Sequence, residues 1–144
     1  LNYTQAAAVV SIIAIFNASG RIAAGRLADK LGALNIYRFM YLLTIIALAV
    51  LSFAPLNHAG FLIVVVIIGV GYGSFLSLVP TITGQLFGAK KFSSNYSFVF
   101  QAYGAAAMLG IFIKSNVTYN QAFTIAMSTA IAGLILASTI KKNR

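Results

Sequence analysis

The chain has no cysteine and no tryptophan, and among its 144 residues only two are proline, one is histidine and one is acidic. The absence of cysteine excludes disulfides, thiolate nucleophiles and cysteine-ligated metal sites. A single histidine and a single acid also leave no obvious pair of groups for general acid–base catalysis. The sequence therefore predicts a protein that is not an enzyme, with no catalytic residues, no metal site and no cofactor.

Charged residues of either sign are also scarce, at 8% of the chain, whereas 60% of the residues are hydrophobic and the mean hydropathy is +0.94. A soluble domain carries about a quarter of its residues as charges. The apolar residues occur in long blocks, and a helix needs about 20 of them to cross the ~30 Å hydrocarbon core of a bilayer. These features predict an all-α, polytopic transmembrane helical bundle that lies in the lipid bilayer of the plasma (cell inner) membrane.

The basic residues do not indicate a nucleic-acid partner, although the formal net charge is +9. They lie in the short gaps between the apolar blocks. They form no face interleaved with aromatic side chains, as a nucleic-acid surface would. We therefore expect the protein to bind no nucleic acid.

The apolar blocks predict one domain over residues 1–144 with about five spans, at residues 5–24, 39–54, 61–87, 96–113 and 123–140. The second span ends at Pro55, because proline cannot continue a helix. Pro80 lies inside the third span, where it predicts a kink or a tilt. The chain starts at Leu1 with no cationic segment before the first span, which argues against a signal peptide. We therefore expect a chain that begins inside a longer protein.

The basic residues are distributed unequally between the two sides of this arrangement. Because loops rich in lysine and arginine stay in the cytoplasm, the side with nine of the ten basic residues is predicted to be cytoplasmic. These nine are Arg21, Arg26, Lys30, Arg38, Lys90, Lys91, Lys141, Lys142 and Arg144. Only Lys114 lies on the other side, so the N-terminus of the chain is predicted outside and the C-terminus in the cytoplasm.

The gap after the first span carries the motif Gly25-x-Leu27-Ala28-Asp29-Lys30-x-Gly32. It resembles the signature loop of the major facilitator superfamily, which lies on the cytoplasmic face of those transporters. Ala33 replaces the basic residue that usually follows the second glycine, and such a degenerate copy suits the loop between helices eight and nine. The resemblance implies a partial C-terminal bundle, helices eight to twelve, whose partner is a missing N-terminal transporter half.

Two further stretches resemble one branch of this superfamily, the oxalate/formate antiporter-like and monocarboxylate transporters. They are Asn17-Ala-Ser-Gly20-Arg21, and Pro80-Thr-Ile-Thr-Gly84-Gln-Leu-Phe87-Gly88 followed by Asn95-Tyr96. The resemblance implies a secondary active transporter that moves a small solute, an organic monoanion, by alternating access. The alternative is a non-transport membrane packing module or a truncated remnant, which the low polarity near the midplane slightly favours.

The motif predicts a cytoplasmic gating loop formed by Gly25, Arg26, Asp29, Lys30 and Gly32. Its glycines allow close backbone approach and a tight turn. Asp29 is the one acidic residue of the chain, and its carboxylate is suited to the positive N-terminal end of a helix on the same face. The start of the fourth span, around residues 93–95, is the expected contact and would latch the cytoplasmic side. The alternative is a solvated acid that balances local positive charge.

Six uncharged polar side chains lie nearest the membrane midplane, and each is a candidate for lining a cavity or for an interhelical contact. They are Asn17, Tyr72, Ser74, Ser77, Gln101 and Tyr103. Arg21 is a further candidate, interpreted first as an anchor or gate residue that reaches the cytoplasmic interface. No ionisable residue lies at the middle of a predicted span. The charge for an anion is therefore expected from the missing half, or else the solute is a monoanion or a neutral molecule held by hydroxyls and amides.

Overall fold

The computed structural model describes residues 3–140, with side chains from residue 7 onward. All regular structure in this range is helical, in the order α1 (Tyr3–Leu31), α2 (Ala33–Phe53), α3 (His58–Asn116) and α4 (Tyr119–Thr139). Each of the four contains a stretch long and apolar enough to cross a membrane. The prediction of an all-α transmembrane bundle is confirmed.

Helix α3 is two helices joined by a sharp turn at Gly88. The backbone of Gly88 has φ 71° and ψ 167°, outside the helical region. In a straight helix, Tyr72 and Tyr103 would be separated by about 46 Å, at 1.5 Å per residue. Their ring centroids are 6.3 Å apart. The chain therefore reverses at Gly88, and α3 consists of a first arm (58–87) and a second arm (89–116), which brings the number of long apolar helices to five.

Helix α1 and the first arm of α3 run parallel and cross closely. Asn17 of α1 lies against Gly73 of the first arm, and Gly25, two turns further along α1, lies near Ser77. Because both contacts advance in the same direction along the two helices, the helices are parallel. In an up-and-down bundle each helix reverses the direction of the chain, so two helices separated by one other helix are parallel. The parallel packing of α1 and the first arm, with α2 between them in the chain, supports this topology.

Helix α2 runs antiparallel to α4. Arg38 near the start of α2 hydrogen-bonds to Ala137 near the end of α4, and Tyr41 packs on Gly133, one turn earlier in α4. Tyr41 also lies on the first arm of α3, where its ring is 4.8 Å from that of Phe75. These contacts place α2 between α4 and the first arm. The core where α1, α2 and the first arm meet is built of buried apolar residues: Ala24, Ala28, Ala33, Ile36, Met40 and Leu78.

The helices extend beyond the predicted spans, and this corrects two of the predicted loops. The segment 25–38 is helical apart from Gly32, whose φ of 87° makes the tight turn between α1 and α2. The segment 88–95 is helical from residue 89 onward. Hydropathy locates the part of a helix that lies in lipid, whereas the backbone hydrogen bonds continue into the charged residues beyond it. Pro80 keeps helical backbone angles, and the interruption of α3 lies at Gly88.

Candidate functional site

Asn17 and Arg21 form a hydrogen-bonded pair near the middle of α1. Asn17 is fourteen residues from Tyr3 and fourteen from Leu31. Arg21 lies one turn later, and its Nε donates a hydrogen bond to Asn17 Oδ1 over 3.1 Å. Helical side chains lean towards the N-terminal end of their helix, and this hydrogen bond turns the guanidinium in that direction.

This geometry changes the interpretation of Arg21. On the shorter predicted span, Arg21 lies close to the end and points outward to the interface. On the observed helix it lies about 6 Å along the axis from the midpoint, and its Nε is bonded to the midpoint residue. The midpoint of the helix need not coincide with the midpoint of the part that lies in lipid, so the expectation that no ionisable residue lies at the middle of a span stays a prediction.

Tyr72 and Tyr103 form a second pair, contributed by the two arms of α3. Their rings lie 6.3 Å apart with an interplanar angle of 37°. Tyr72 is within one residue of the middle of the first arm, and Tyr103 is within one residue of the middle of the second. Both side chains keep an open surface, with 44% and 41% of their areas exposed.

The two pairs lie at the same depth in the bundle. The carbonyl group of Asn17 lies against Gly73, the residue next to Tyr72. The midpoints of α1, the first arm and the second arm are therefore level with one another. One guanidinium, one amide and two phenol groups are collected at this level, on three different helices.

An aromatic row leads along the second arm to Tyr103. Its members are Phe92, Tyr96, Phe100 and Tyr103, and their successive ring centroids are 5.4, 6.0 and 5.8 Å apart. Spacings of four, four and three residues place all four on one face of the helix. This row was not predicted as part of the site, although its spacing in the sequence is a signal that could have found it.

Three of the predicted candidates, Ser74, Ser77 and Gln101, do not join the groups around Tyr72 and Tyr103. Ser74 is fully buried, and its Oγ donates to the carbonyl oxygens of Val70 at 2.7 Å and Gly20 at 3.3 Å. It is an interhelical contact rather than a cavity residue. Ser77 is partly buried near Gly25, and Gln101 lies about 200° around the second arm from Tyr103.

Part of the predicted gating loop borders a cavity of about 1080 Å³ at the C-terminal ends of α1 and α4. Asp29, Lys30 and Gly32 are among its lining residues, together with Arg38 and Gln85. Gly25 and Arg26 lie earlier on α1. Three of the five residues of the predicted loop therefore line one cavity.

The proposed partner of Asp29 lies differently from the prediction. Residues 93–95 belong to the body of the second arm rather than to its start. The Asn95 amide donates to the Lys91 carbonyl oxygen at 3.0 Å and Ser97 Oγ to that of Ser93 at 2.8 Å. The N-terminal turn of this arm lies at residues 89–92. The latch between Asp29 and this helix stays a prediction, with its contact moved to that earlier turn.

Arg38 has a structural role that the sequence did not indicate. Its Nη2 donates to the carbonyl oxygens of Ala137 at 3.0 Å and Ile140 at 2.8 Å, and its Nε donates to Ala137 at 3.1 Å. The last carbonyls of a helix have no intrahelical partner, and the end of the helix carries partial negative charge. At the end of α4, Arg38 donates hydrogen bonds to these carbonyl oxygens and places a positive charge beside them.

The part of the chain that the structure describes contains no group of three or more histidine, aspartate or glutamate side chains placed to hold a metal ion. The polar groups near the helix midpoints are one guanidinium, one amide and two phenols.

Known proteins resemble this chain over most of its length. The sequence profile of the Major Facilitator Superfamily matches residues 1–113. The chain is 27% identical over 108 residues to an uncharacterized MFS-type transporter, YhjX, of Escherichia coli, covering 75% of this chain and 27% of the relative. It is 27% identical over 136 residues to the oxalate:formate antiporter of Oxalobacter formigenes, covering 91% of this chain and 32% of that protein.

A further relative is monocarboxylate transporter 14 of Homo sapiens, which is 31% identical over 104 residues, 71% of this chain and 20% of that protein. The chain thus spans between a fifth and a third of the length of these relatives. No solved structure matches it. The relatives confirm the resemblance to the oxalate/formate antiporter-like and monocarboxylate branch. The match over residues 1–113 shows that the chain belongs to the Major Facilitator Superfamily of membrane transporters.

Proposed function

We propose that the chain is part of a secondary active transporter that moves a small organic monoanion by alternating access, and that Arg21 supplies the positive charge for that anion. The observation that carries this proposal is the hydrogen bond from Arg21 Nε to Asn17 Oδ1. It holds the guanidinium one turn from the middle of α1 and turns it towards Asn17, which is level with Tyr72 and Tyr103.

The cost of placing a charge within a membrane span supports a functional role. Arg21 lies within the apolar stretch 7–31 of α1, and an arginine at the centre of such a span costs about 2.5–3.5 kcal/mol on insertion scales. Such a residue is therefore a candidate for the substrate pathway. Because Asn17 binds Nε, the terminal Nη groups of Arg21 remain available to pair with a carboxylate in the two-point geometry that guanidinium groups favour. One guanidinium balances one carboxylate, which favours a monoanion.

The two tyrosines complete the proposed site. A phenol hydroxyl donates one hydrogen bond and accepts others, so Tyr72 and Tyr103 offer donors to the second carboxylate oxygen or to a hydroxyl group of the solute. Their exposed rings offer an apolar surface for the carbon skeleton. The names of two relatives, an oxalate:formate antiporter and a monocarboxylate transporter, agree with a carboxylate solute.

Alternating access requires a second bundle against which this one moves, since solute sites in such transporters lie between two halves. We propose that the rest of the protein supplies that bundle. In this arrangement the end of α1 with Asp29 and Lys30 faces the cytoplasm of the plasma membrane, and the start of α1 faces outward. The cavity bordered by Asp29 then lies on the cytoplasmic side, where a gate has to open.

Uptake and exchange by the full-length gene product in proteoliposomes test the proposal. A panel of mono- and dicarboxylates, with neutral sugars and amino acids, is offered to the wild type and to three variants. Arg21→Gln is expected to abolish transport of the monocarboxylate substrate, and Arg21→Lys to retain part of it. Lys114→Gln is the matched control, because it removes one positive charge from an exposed position at the other end of the second arm, away from the predicted latch.

The results separate the parts of the proposal. A flat response across the carboxylates would reject the anionic substrate. Normal carboxylate transport by Arg21→Gln would reject the role of Arg21. Equal losses in Arg21→Gln and Lys114→Gln would mean that the loss reflects only the change of net charge.

A further inference from the structure

A seam of facing residues joins the two arms of α3. A methyl group added at Gly84 would lie 3.7 Å from Phe92 Cδ2. The rings of Tyr72 and Tyr103 are 6.3 Å apart. In each pair the two residues lie at nearly equal distances in sequence from the turn at Gly88. The aromatic row of the second arm therefore follows this seam from the turn to the middle of the bundle.

The row is more open near the middle of the bundle than near the turn. Phe92 and Tyr96 are partly buried, whereas Phe100 exposes 55% of its surface and Tyr103 exposes 41%. Hydrocarbon cannot satisfy the hydroxyl group of Tyr103 inside a membrane span. The open surface at this end of the row therefore needs a cover that is apolar and also carries a polar group.

Helix α1 and the second arm lie on adjacent sides of the first arm. Gly73 of the first arm touches α1 at Asn17. The preceding residue, Tyr72, lies against Tyr103 of the second arm. Neighbouring residues of a helix point about 100° apart, so α1 and the second arm border one groove along the first arm. The hydrogen bond from Arg21 to Asn17 lies at the same depth as the open end of the row.

Three rings at this depth already pack on one another. The centroids of Phe100 and Tyr103 are 5.8 Å apart with an interplanar angle of 26°, and those of Tyr103 and Tyr72 are 6.3 Å apart with an angle of 37°. Aromatic pairs attract one another at centroid separations of about 4.5–7 Å. The exposed flank of Phe100 offers the same kind of contact to a further ring.

We propose that the solute of this site is an aromatic monocarboxylate, whose aryl group stacks on Phe100 and Tyr103 while its carboxylate pairs with Arg21. The inference rests on the proposed function, from which it takes the role of Arg21, and it adds the chemistry of the carbon skeleton. Phe100 lies about 4.5 Å along the helix axis from Tyr103. One molecule with its ring close to its carboxylate, such as benzoate or phenylacetate, supplies both the apolar cover and the polar group.

The proposal predicts selectivity among acids of equal charge. Benzoate should bind at least about tenfold more tightly than acetate, because its larger apolar group is buried. Cyclohexanecarboxylate has a ring of similar size without a π-system, so burial alone favours it as much as benzoate. Stacking between aromatic rings should make benzoate about two- to tenfold tighter than cyclohexanecarboxylate.

Equilibrium binding of the three radiolabelled acids to the purified full-length gene product in detergent tests this order. Phe100→Leu removes the ring and keeps an apolar side chain, so it should abolish the preference for benzoate over cyclohexanecarboxylate. Phe100→Tyr keeps the ring and should retain the preference. Phe98→Leu is the matched control, because Phe98 is 70% exposed and lies about 160° around the second arm from Phe100.

The outcomes separate this inference from the proposed function. No binding of any of the three acids would overturn the proposed function and the inference with it. Binding of acetate or cyclohexanecarboxylate at least as tight as that of benzoate would overturn the aromatic solute and leave an anion site at Arg21. An equal loss of the preference in Phe100→Leu and Phe98→Leu would overturn the contact with Phe100.

Discussion

The guanidinium group of Arg38 donates a hydrogen bond to the carbonyl oxygen of Ile140 over 2.8 Å, which ties the first turns of α2 to the end of α4. The same group also binds the carbonyl oxygen of Ala137, whose residue is buried. A side chain near the start of one helix thus completes the end of another that lies about a hundred residues away in the sequence. This tie and the packing of Tyr41 on Gly133 join α2 to α4, and the close crossing at Gly20 joins α1 to the first arm of α3.

The hydrogen bonds from Arg38 to the end of α4 predict that Arg38→Gln lowers the stability of the protein. Hydrogen bonds to a charged group contribute about 1.5–3 kcal/mol, so we expect the free energy of unfolding to fall by about 2 kcal/mol. Arg38→Lys should recover part of this loss, because the charge at the helix end is kept while the forked geometry is lost. Thermal unfolding of the full-length protein in detergent measures both. Lys30→Gln, which removes a charge from the same cavity, is the control and should change little.

The crossing of α1 and the first arm predicts opposite results for two glycines of α1. In Gly20→Ala the new methyl group would lie 2.9 Å from Val70 Cα, so two backbones must separate, and overpacking of this kind costs about 1–3 kcal/mol. In Gly25→Ala the nearest atom, Ser77 Oγ, is 3.9 Å away. That variant should gain about 0.5–1 kcal/mol from the lower flexibility of alanine in the unfolded chain. Equal unfolding midpoints for the two variants would contradict the close crossing.

The contact between Tyr41 and Gly133 predicts a non-additive pair of substitutions. In Gly133→Ala the added methyl group would meet two ring carbons and the hydroxyl oxygen of Tyr41 at 2.8–2.9 Å, and α2 and α4 would be pushed apart. The shorter side chain in Tyr41→Leu removes that clash. The double variant should therefore be more stable than the sum of the two single losses indicates, by a coupling energy of about 0.5–3 kcal/mol. A double-mutant cycle on unfolding midpoints measures this coupling, and strict additivity would show that the two residues do not touch.

Much of the fold was predictable from the sequence because a bilayer imposes few choices. An apolar block of about 20 residues has to form a helix in lipid, and the five predicted blocks correspond to α1, α2, the two arms of α3 and α4. The turn at Gly32 was predicted from the motif. The orientation in the membrane stays a prediction, since it rests on the distribution of basic residues alone.

The candidate site was less predictable, because it depends on where helices end and on which of their faces meet. Hydropathy ends the first span at residue 24, whereas the backbone continues to Leu31, and the hydrogen bond from Arg21 back to Asn17 could not be read from the sequence. Tyr72 and Tyr103 were both candidates, but nothing local in the sequence shows that their rings meet. In the sequence, Ser74 cannot be distinguished from a hydroxyl residue that lines a cavity. It is buried because α1 approaches it closely at Gly20. Partners far apart in sequence, such as Arg38 and Ile140, leave no pattern in a single sequence.

The turn at Gly88 predicts two alanine substitutions with effects of opposite sign. The backbone of Gly88, at φ 71° and ψ 167°, lies in a region open essentially to glycine alone, and other residues held there are strained by about 1–3 kcal/mol. Gly110 has a helical backbone, where alanine is favoured over glycine by about 0.5–1 kcal/mol. A methyl group added at either position meets no atom of this chain within 4 Å, so the difference between them measures backbone conformation.

We therefore expect Gly88→Ala to lower the unfolding midpoint of the full-length protein and Gly110→Ala to keep or raise it. The strain in Gly88→Ala should also weaken the contact between the two arms that the turn brings together. Nitroxide spin labels attached at Tyr72→Cys and Tyr103→Cys measure the distance between the two arms. The distribution of that distance should be broader in the Gly88→Ala variant than in the protein that keeps Gly88. An unchanged distribution and an unchanged midpoint would mean that residue 88 does not need a positive φ, and that the two arms are joined by a turn of another kind.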